Sequence, residues 1–573
     1  MNKKDVTKKP RSGEEALGAE KAAEKKLPIG PEEVKEAETI LADYKRAKAN
    51  LDSRVTDNEQ WFRLRHWEQL RRPEDKKLHH SAWLFNSIVS KHADFMDAMP
   101  QCTVLPREEA DEKEAEKLTA VLPVILERGN WQSVYSDAAY AKLKTGTAVY
   151  SVLWDPDAED GIGDIAVSQA DILNLYWEPG VRDIQNSRNL FYVQLEDNDI
   201  LEERWPELRD KLATPSTDVA AYLYDSTVDT SKKSTVVDWY YKKRVGGRTV
   251  LHYCKFVNGV VLYASENDPA LKERGWYDHS MYPFVFDPLF REEGTPAGFG
   301  MIDVMKEAQE DIDLLGNELI RNARLSARKR YFTRIEGAVN EEEFADLSRD
   351  FVHVSGSTLG EDSIREITSS PLSPVYLTVL NNKIQELKET SGNRDFSQGG
   401  TMGGVTSGTA INALQEAGNK LARDMIAMTY NAFAQVCTLA IELIRQFYTA
   451  PRCMRILGPD GDFAFPVYDN AGLLPVSQGE AFGMAAGLRK PVFDVSVKAH
   501  KQNTYSRSAQ NQDALNFYQL GFFDPARAKE SLACLELIDI ENKEKLISVI
   551  TKNGEAFAAA QERAAAPDGA VTG

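Results

Sequence analysis

The strongest constraint on this chain lies between about Phe299 and Tyr448, where helical periodicity dominates. In GMIDVMKEAQEDIDLLGNELIRNARLSARKR the apolar residues Ile302, Met305, Ala308, Ile312, Leu315 and Leu319 fall three or four apart, and Asp303, Glu307, Glu310 and Asp311 fill much of the remainder. The spacing predicts a helix with one packing stripe and an acidic remainder. A second helix is predicted between Pro374 and Gly392, with Tyr376, Leu380, Ile384 and Leu387 as its stripe. The glycine-rich NRDFSQGGTMGGVTSG follows, and then a helical pattern of about forty residues, on the order of 60 Å long. Its Ile411, Leu414, Leu421, Met425, Met428, Leu439 and Leu443 share a face. A helix this long acts as a spoke or strut. Gly418-Asn419 lies inside it, where a glycine costs about 1 kcal/mol relative to alanine, so the kink is predicted there.

At 573 residues the chain exceeds what one core serves, so several domains are expected. A hydrophobic content of 42% supplies real cores, and the mean hydropathy of -0.43 is that of a soluble protein. No membrane span is expected, and the charged N-terminus is unlike a signal peptide, so synthesis and residence in a cytoplasm follow. The five cysteines are scattered without a CxxC pair, as reduced thiols would be. A net charge of -19 argues against a surface coated for nonspecific DNA binding. It is compatible with a DNA conduit, because a basic lining would hold phosphates by counterion release where an acidic one lets them slide.

Residues 1–31 alternate Lys and Glu with Ala and Gly and read as a disordered arm. Helical patterns follow to Pro100, with Trp61, Trp67 and Trp83 as core anchors rather than a base-stacking platform. His79 and His80 lack partner ligands at metal spacing, so no metal ligand set is read from the sequence. After helices near Glu108–Arg128 and Trp131–Lys144, the alternating TGTAVYSVLWD, GDIAVSQA, ILNLYWEPG, NLFYVQLE, STVVDWYYKKRV, TVLHYCKF and GVVLYAS predict a meander. The turn DPDAEDGIGD imitates a calcium loop through Asp155, Asp157 and Glu159. It fails on spacing, since Gly161 is seventh rather than sixth and Ala166 stands twelfth.

Between the two shorter helices lies a compact insert, with strands YFTRIEG and FVHVSGS around a helical EEEFADLSRD. It is preceded by Arg321, Arg324, Arg328, Lys329, Arg330 and Arg334, which serve either a helix C-terminus or DNA phosphates and an acidic partner. The glycine-rich loop contains no GxxxxGK[ST] and follows no strand, which argues against a nucleotide site. Beyond Tyr448, PRCMRILG, GDFAFPVY and FDVSVKAHK read as strands, and helices and a loose Ala- and Gly-rich tail end the chain.

This order of parts resembles the bacteriophage portal protein, the head-to-tail connector through which double-stranded DNA is packaged and ejected. The hairpin ending in Trp154-Asp155-Pro156, the run YWEPGVRDIQNSRNLFYVQ and the DV-V strand after Val492 are similar to features of its wing and return strand. The resemblance implies an α+β multidomain portal fold that forms rings. It is mainly helical, with a wing at 32–298, a first stem helix at 299–325, a small α/β clip at 326–372 and a second stem helix at 373–391. A tunnel loop at 392–408, a long kinked helix at 409–449, wing return strands at 450–500, a crown at 501–555 and a flexible tail at 556–573 complete it. It implies a tunnel loop touching DNA through Arg394, Asp395, Gln398, Gly399, Gly400, Met402 and Thr406. A stem lined by Asp303, Glu307, Glu310, Asp311, Lys383 and Lys388 is expected, and clip contacts to terminase or DNA by Arg324, Arg328, Lys329, Arg330 and Arg334.

The implied partners are a dodecameric homo-oligomer, the DNA in its channel, the terminase large subunit, major capsid and scaffolding proteins, and head-tail adaptor or tail proteins, at a capsid vertex. No cofactor is implied, and no paired carboxylate or triad has a spacing that compels catalysis. The alternatives are a channel-less helical scaffold or adaptor and a metal-dependent hydrolase using the acids near Asp155.

Overall fold

The computed structural model describes residues 27–69, 79–209, 212, 232–327, 330–333, 342, 364–367, 373–392, 420–457, 463–477, 480–481, 484–485, 488–501, 515–537 and 543–565. The chain enters through α1 (Pro31–Phe62), which opens with Pro31 in its first turn and Glu33 accepting a hydrogen bond from the Gly30 amide at 2.9 Å. The residues just before it are docked. Ile29 is buried, and its backbone exchanges two 2.9 Å hydrogen bonds with the Asn267 side chain, which docks the chain two residues ahead of Pro31.

Short α2 (His66–Gln69) and α3 (Trp83–Asp97) follow. Next comes a strand the sequence reading lacked, β1 (Ala98–Pro106), which pairs antiparallel with β12 (Phe493–Lys501) from Ala98 opposite Lys501 to Pro106 opposite Phe493. Pro100 and Pro106 disguise it, yet in a two-stranded ribbon each strand has a free edge where a missing N–H is tolerated.

Helices α4 (Glu112–Arg128) and α5 (Trp131–Thr145) lead into β2 (Thr147–Asp155), the centre of a three-stranded sheet with β3 (Asp164–Gln169) and β9 (Phe284–Pro288). The expected meander is a five-stranded antiparallel sheet: β4 (Leu175–Trp177), β5 (Asn189–Asp197), β6 (Lys233–Val245), β7 (Arg248–Val257) and β8 (Val260–Ala264), in that order. Helix α6 (Asn198–Arg204) follows β5. The face formed by Phe191, Val193, Val237 and Trp239 packs against Val34, Ala37, Leu41 and Tyr44 of α1. This is why α1 carries apolar residues at helical spacing and the strands carry them at spacing two.

The paired helices are α7 (Met301–Ala327) and α8 (Val375–Ser391). From the insert, the ladder of β10 (Arg330–Thr333) and β11 (Ile364–Ile367) is described. Strand FVHVS, helix EEEFADLSRD apart from Glu342, and the loop 393–408 lie outside the described residues.

The described part of the long helix is α9 (Lys420–Phe447), and Gly418 and Asn419 precede it, outside the described residues. Its Met425, Phe433, Val436, Leu439 and Leu443 enter the main core with β2 and β9. Among the described residues Arg423–Phe447 is long and apolar enough to cross a membrane by length and composition alone, and half of its most apolar window is buried inside the fold, as in a core helix.

Arg452–Cys453 and Ile456–Leu457 pair antiparallel with Val467–Tyr468 and Phe463–Ala464, and Val476–Ser477 and Glu480–Ala481 pair with Leu488–Arg489 and Met484–Ala485; β12 pairs with β1, and Tyr468 and Arg489 bond Glu114 and Asp111 at the start of α4. A separate small core holds α10 (Ala528–Leu537) to α11 (Lys543–Ala565), and α11 runs past the expected crown boundary.

Candidate functional site

The start of the α7–α8 pair is fixed to the end of α5 by close backbone approach. Gly146 has φ +90°, and a Cβ there would lie 2.4 Å from the Phe299 carbonyl carbon. A Cβ on Gly300 would sit 2.8–2.9 Å from Lys144 O, Gly146 N and Leu143 O. Both positions therefore require glycine, and together they seat the start of α7 on the end of α5.

The acids of α7 separate by face. Asp303 was expected with the lining residues, but its Oδ2 accepts from the Gly300 amide at 2.8 Å and its Oδ1 from Asn58 Nδ2 at 3.0 Å. It caps the helix and ties it to α1. Glu307 is exposed, Glu310 is half-buried, and Asp311 forms a 3.1 Å ion pair with Lys383 of α8. Lys383 also reaches Glu386 at 3.1 Å, and the two carboxylates hold its ammonium above the usual lysine range. Lys388 lies 5.4 Å from the Trp83 ring centroid, a cation–π contact that turns it toward the wing.

On a third face Gln309, Asp313 and Asn317 stand four apart, so their side chains share one line along the helix. Gln309 accepts from Leu84 N at 2.9 Å and donates to Ser81 O at 2.9 Å and to Asp313 Oδ1 at 2.9 Å. Asp313 Oδ1 also receives Ser81 N at 2.8 Å and Ser81 Oγ at 2.7 Å, while Asn317 exchanges bonds with the His79 backbone. Hydrogen bonds from His66 and Ser81 draw the Asp313 carboxyl below its ordinary range despite burial. Sequence reasoning missed these three anchors because polar residues on an amphipathic helix read as a solvated face. Their four-residue spacing was the available signal.

The outer face of α7 leaves Val304 and Leu314 exposed, and the start of α8 exposes Val375, Tyr376, Leu377 and Val379. Tyr376 was expected in the packing stripe. Burial in α8 instead grows along the helix, toward Leu387.

Helix α9 is locked to the same wing. Lys142 Nζ donates to Asp287 Oδ1 at 2.7 Å, to Thr429 Oγ1 at 2.7 Å and to Met425 O at 3.1 Å, and Thr429 Oγ1 donates to Asp287 Oδ2 at 2.8 Å. Arg445 at the other end donates to Leu473 O and Pro491 O.

Of the remaining predicted residues, Arg324 is exposed near the end of α7, and Arg330 opens β10. Arg328, Lys329, Arg334 and the loop residues Arg394, Asp395, Gln398, Gly399, Gly400, Met402 and Thr406 lie outside the described residues.

Two sheets packed on helices, a helix pair interrupted by a small β ladder and a long helix that enters the main core define a mixed α+β protein. The sequence profile of the Phage P22-like portal protein family matches residues 96–570, and the chain belongs to that family. Comparison with curated proteins gives no match. Portal proteins form the head-tail connector at a capsid vertex and serve genome packaging, and the family is structural rather than enzymatic.

Proposed function

We infer that copies of this chain close into a dodecameric ring whose bore is framed by the α7–α8 pairs, and that DNA moves along it during packaging and ejection. The observation that carries this reading is the stem itself. Its root is fixed to the wing by Gly146, Gly300 and Asp303, while Val304, Leu314, Val375, Tyr376 and Leu377 remain exposed on it. Those apolar side chains are suited to the neighbouring copy. Glu307, Glu310 and Asp311 supply an acidic lining that holds phosphates weakly.

In this reading the loop carrying Arg394, Asp395, Gln398, Gly399, Gly400, Met402 and Thr406 touches the duplex. Arg324, Arg328, Lys329, Arg330 and Arg334 meet the terminase large subunit or DNA at the clip. Capsid, scaffolding and tail-adaptor proteins contact the rest of the ring, and the chain is made in the host cytoplasm before entering the capsid. Negative-stain electron microscopy with class averaging tests the proposal. Closed rings with a central hole and about a dozen projections are the expected result, and a stable dimer without a hole would overturn it.

A further inference from the structure

Beside the stem root, outside the face assigned to DNA, three potential ligands converge. His66 on α2, His80 before α3 and Asp313 on α7 place one donor atom each within 4.8 Å of the others. We propose that these three side chains bind a single zinc-class transition-metal ion that clips the wing to the stem.

The His66–Asp313 contact is a long hydrogen bond whose two heavy atoms are also spaced for a shared metal ion. His66 Nε2 and Asp313 Oδ2 are 3.3 Å apart, longer than the roughly 2.7–2.9 Å of a charge-assisted bond. That separation is about the edge of a tetrahedron whose metal–ligand bonds are roughly 2.0–2.1 Å. The His66 and His80 ring centroids are 5.2 Å apart with their planes at 68°, an edge-on contact that keeps the two imidazoles side by side.

The supporting shell is built. Ser81 N, Ser81 Oγ and Gln309 Nε2 all bond Asp313 Oδ1, which fixes the carboxylate and leaves Oδ2 turned to His66. Gln309 is itself held by Leu84 N and Ser81 O. The His66 ring lies flat on Trp61 at 3.8 Å, which sets its plane. His66 and Asp313 are buried and His80 is exposed, giving the ion a way in and leaving a fourth position for water.

Two imidazole nitrogens and one carboxylate suit Zn²⁺ or Co²⁺, whereas Mg²⁺ and Ca²⁺ prefer an all-oxygen set. Among the described residues the segment from His79 to Leu84 meets α7 at this point and along the Gln309–Asn317 line, so the ion would act as a structural clip.

The test uses the full chain, stripped with a chelator and titrated with Zn²⁺ alone in a calorimeter, then with Co²⁺ followed by absorption. The expected result is one Zn²⁺ per chain, a melting temperature raised by Zn²⁺ and not by Mg²⁺, and visible Co²⁺ bands without the near-ultraviolet thiolate charge-transfer band. His80→Ala should weaken Zn²⁺ binding at least about tenfold, with the metal-free melting temperature measured alongside to separate ligand loss from loss of the ring contact with His66. His80→Asn serves as the second variant if His80→Ala fails to fold. Absence of Zn²⁺ binding at micromolar concentration would overturn the proposal. So would equal affinity in the variants, or a thiolate band that places the ion on cysteine.

Discussion

The ammonium of Lys142 lies 2.7 Å from the carboxylate of Asp287, and each side chain is only 1% exposed. Burial lowers the lysine pKa and the Asp287 charge opposes that shift, so neither group is tolerable there without the other. Thr429 completes the set by bonding both, which makes the pair the register mark of α9 on the wing. Lys142→Met should therefore cost about 3–5 kcal/mol, because it strands a buried carboxylate. Lys142→Met with Asp287→Asn should recover a large part of that loss. Urea denaturation followed by tryptophan fluorescence checks both variants, and equal losses in single and double variants would refute the pairing argument.

Gly300→Ala should destabilise the stem root by about 2 kcal/mol or more, since its Cβ would meet backbone atoms that cannot swing aside. An alanine at Gly316, whose Cβ would meet nothing within 4 Å, gives the control: Gly316→Ala should be neutral or stabilising. Differential scanning calorimetry of the two variants distinguishes a seated helix start from a merely flexible one.

Gln309→Leu removes the acceptor of the buried Leu84 amide, which lies in the first turn of α3 and has no helical acceptor of its own. The expected loss is about 1–3 kcal/mol. Hydrogen exchange at Leu84 should accelerate in the variant while the β6–β7 ladder stays protected. Unchanged exchange at Leu84 would show that the bond is dispensable.

These anchors mark the boundary of what the sequence could disclose. Residues Val236 to Tyr241 alternate between two packed faces, so their period announces a strand wherever the partner lies. β1 carries two prolines and finds its partner nearly four hundred positions away, and no local pattern encodes that pairing. Asp303 illustrates the same limit at the site. Its acidity was visible, but whether the carboxylate faces a channel or Asn58 depends on where α1 passes. His80 reads as an isolated ligand until α7 brings Asp313 to it.

Burial pushes the His279 imidazole down to about 4, although Glu442 and Asp278 nearby favour its charged form and Lys490 opposes it. Its folded value lies below its unfolded value of about 6.5, so between these values the unfolded chain binds more protons. Stability should then fall as pH drops from about 6.5 toward 4, by on the order of 3 kcal/mol in all. His279→Phe keeps the stacking on Tyr277 and should flatten that slope. Denaturation midpoints at pH 7, 6 and 5 measure it, and an equally steep fall in the variant would assign the slope to another group.

The acids Glu307, Glu310 and Asp311 of α7 lead to the last prediction. Asp311 and Lys383 are both substantially solvent-exposed, so their ion pair contributes little to folding, and charge changes there read out function rather than stability. If Glu307, Glu310 and Asp311 face the bore, the assembled ring should release duplex DNA readily and with weak salt dependence. Replacing all three by lysine should make retention strong at low salt and steeply salt-dependent, because each added phosphate contact releases counterions. Packaging yield should fall in parallel as the duplex is held. Melting temperature and ring formation, measured alongside, separate a charge effect from misassembly. If packaging yield and the salt slope of DNA retention both stay unchanged in correctly formed rings, these acids do not line the bore.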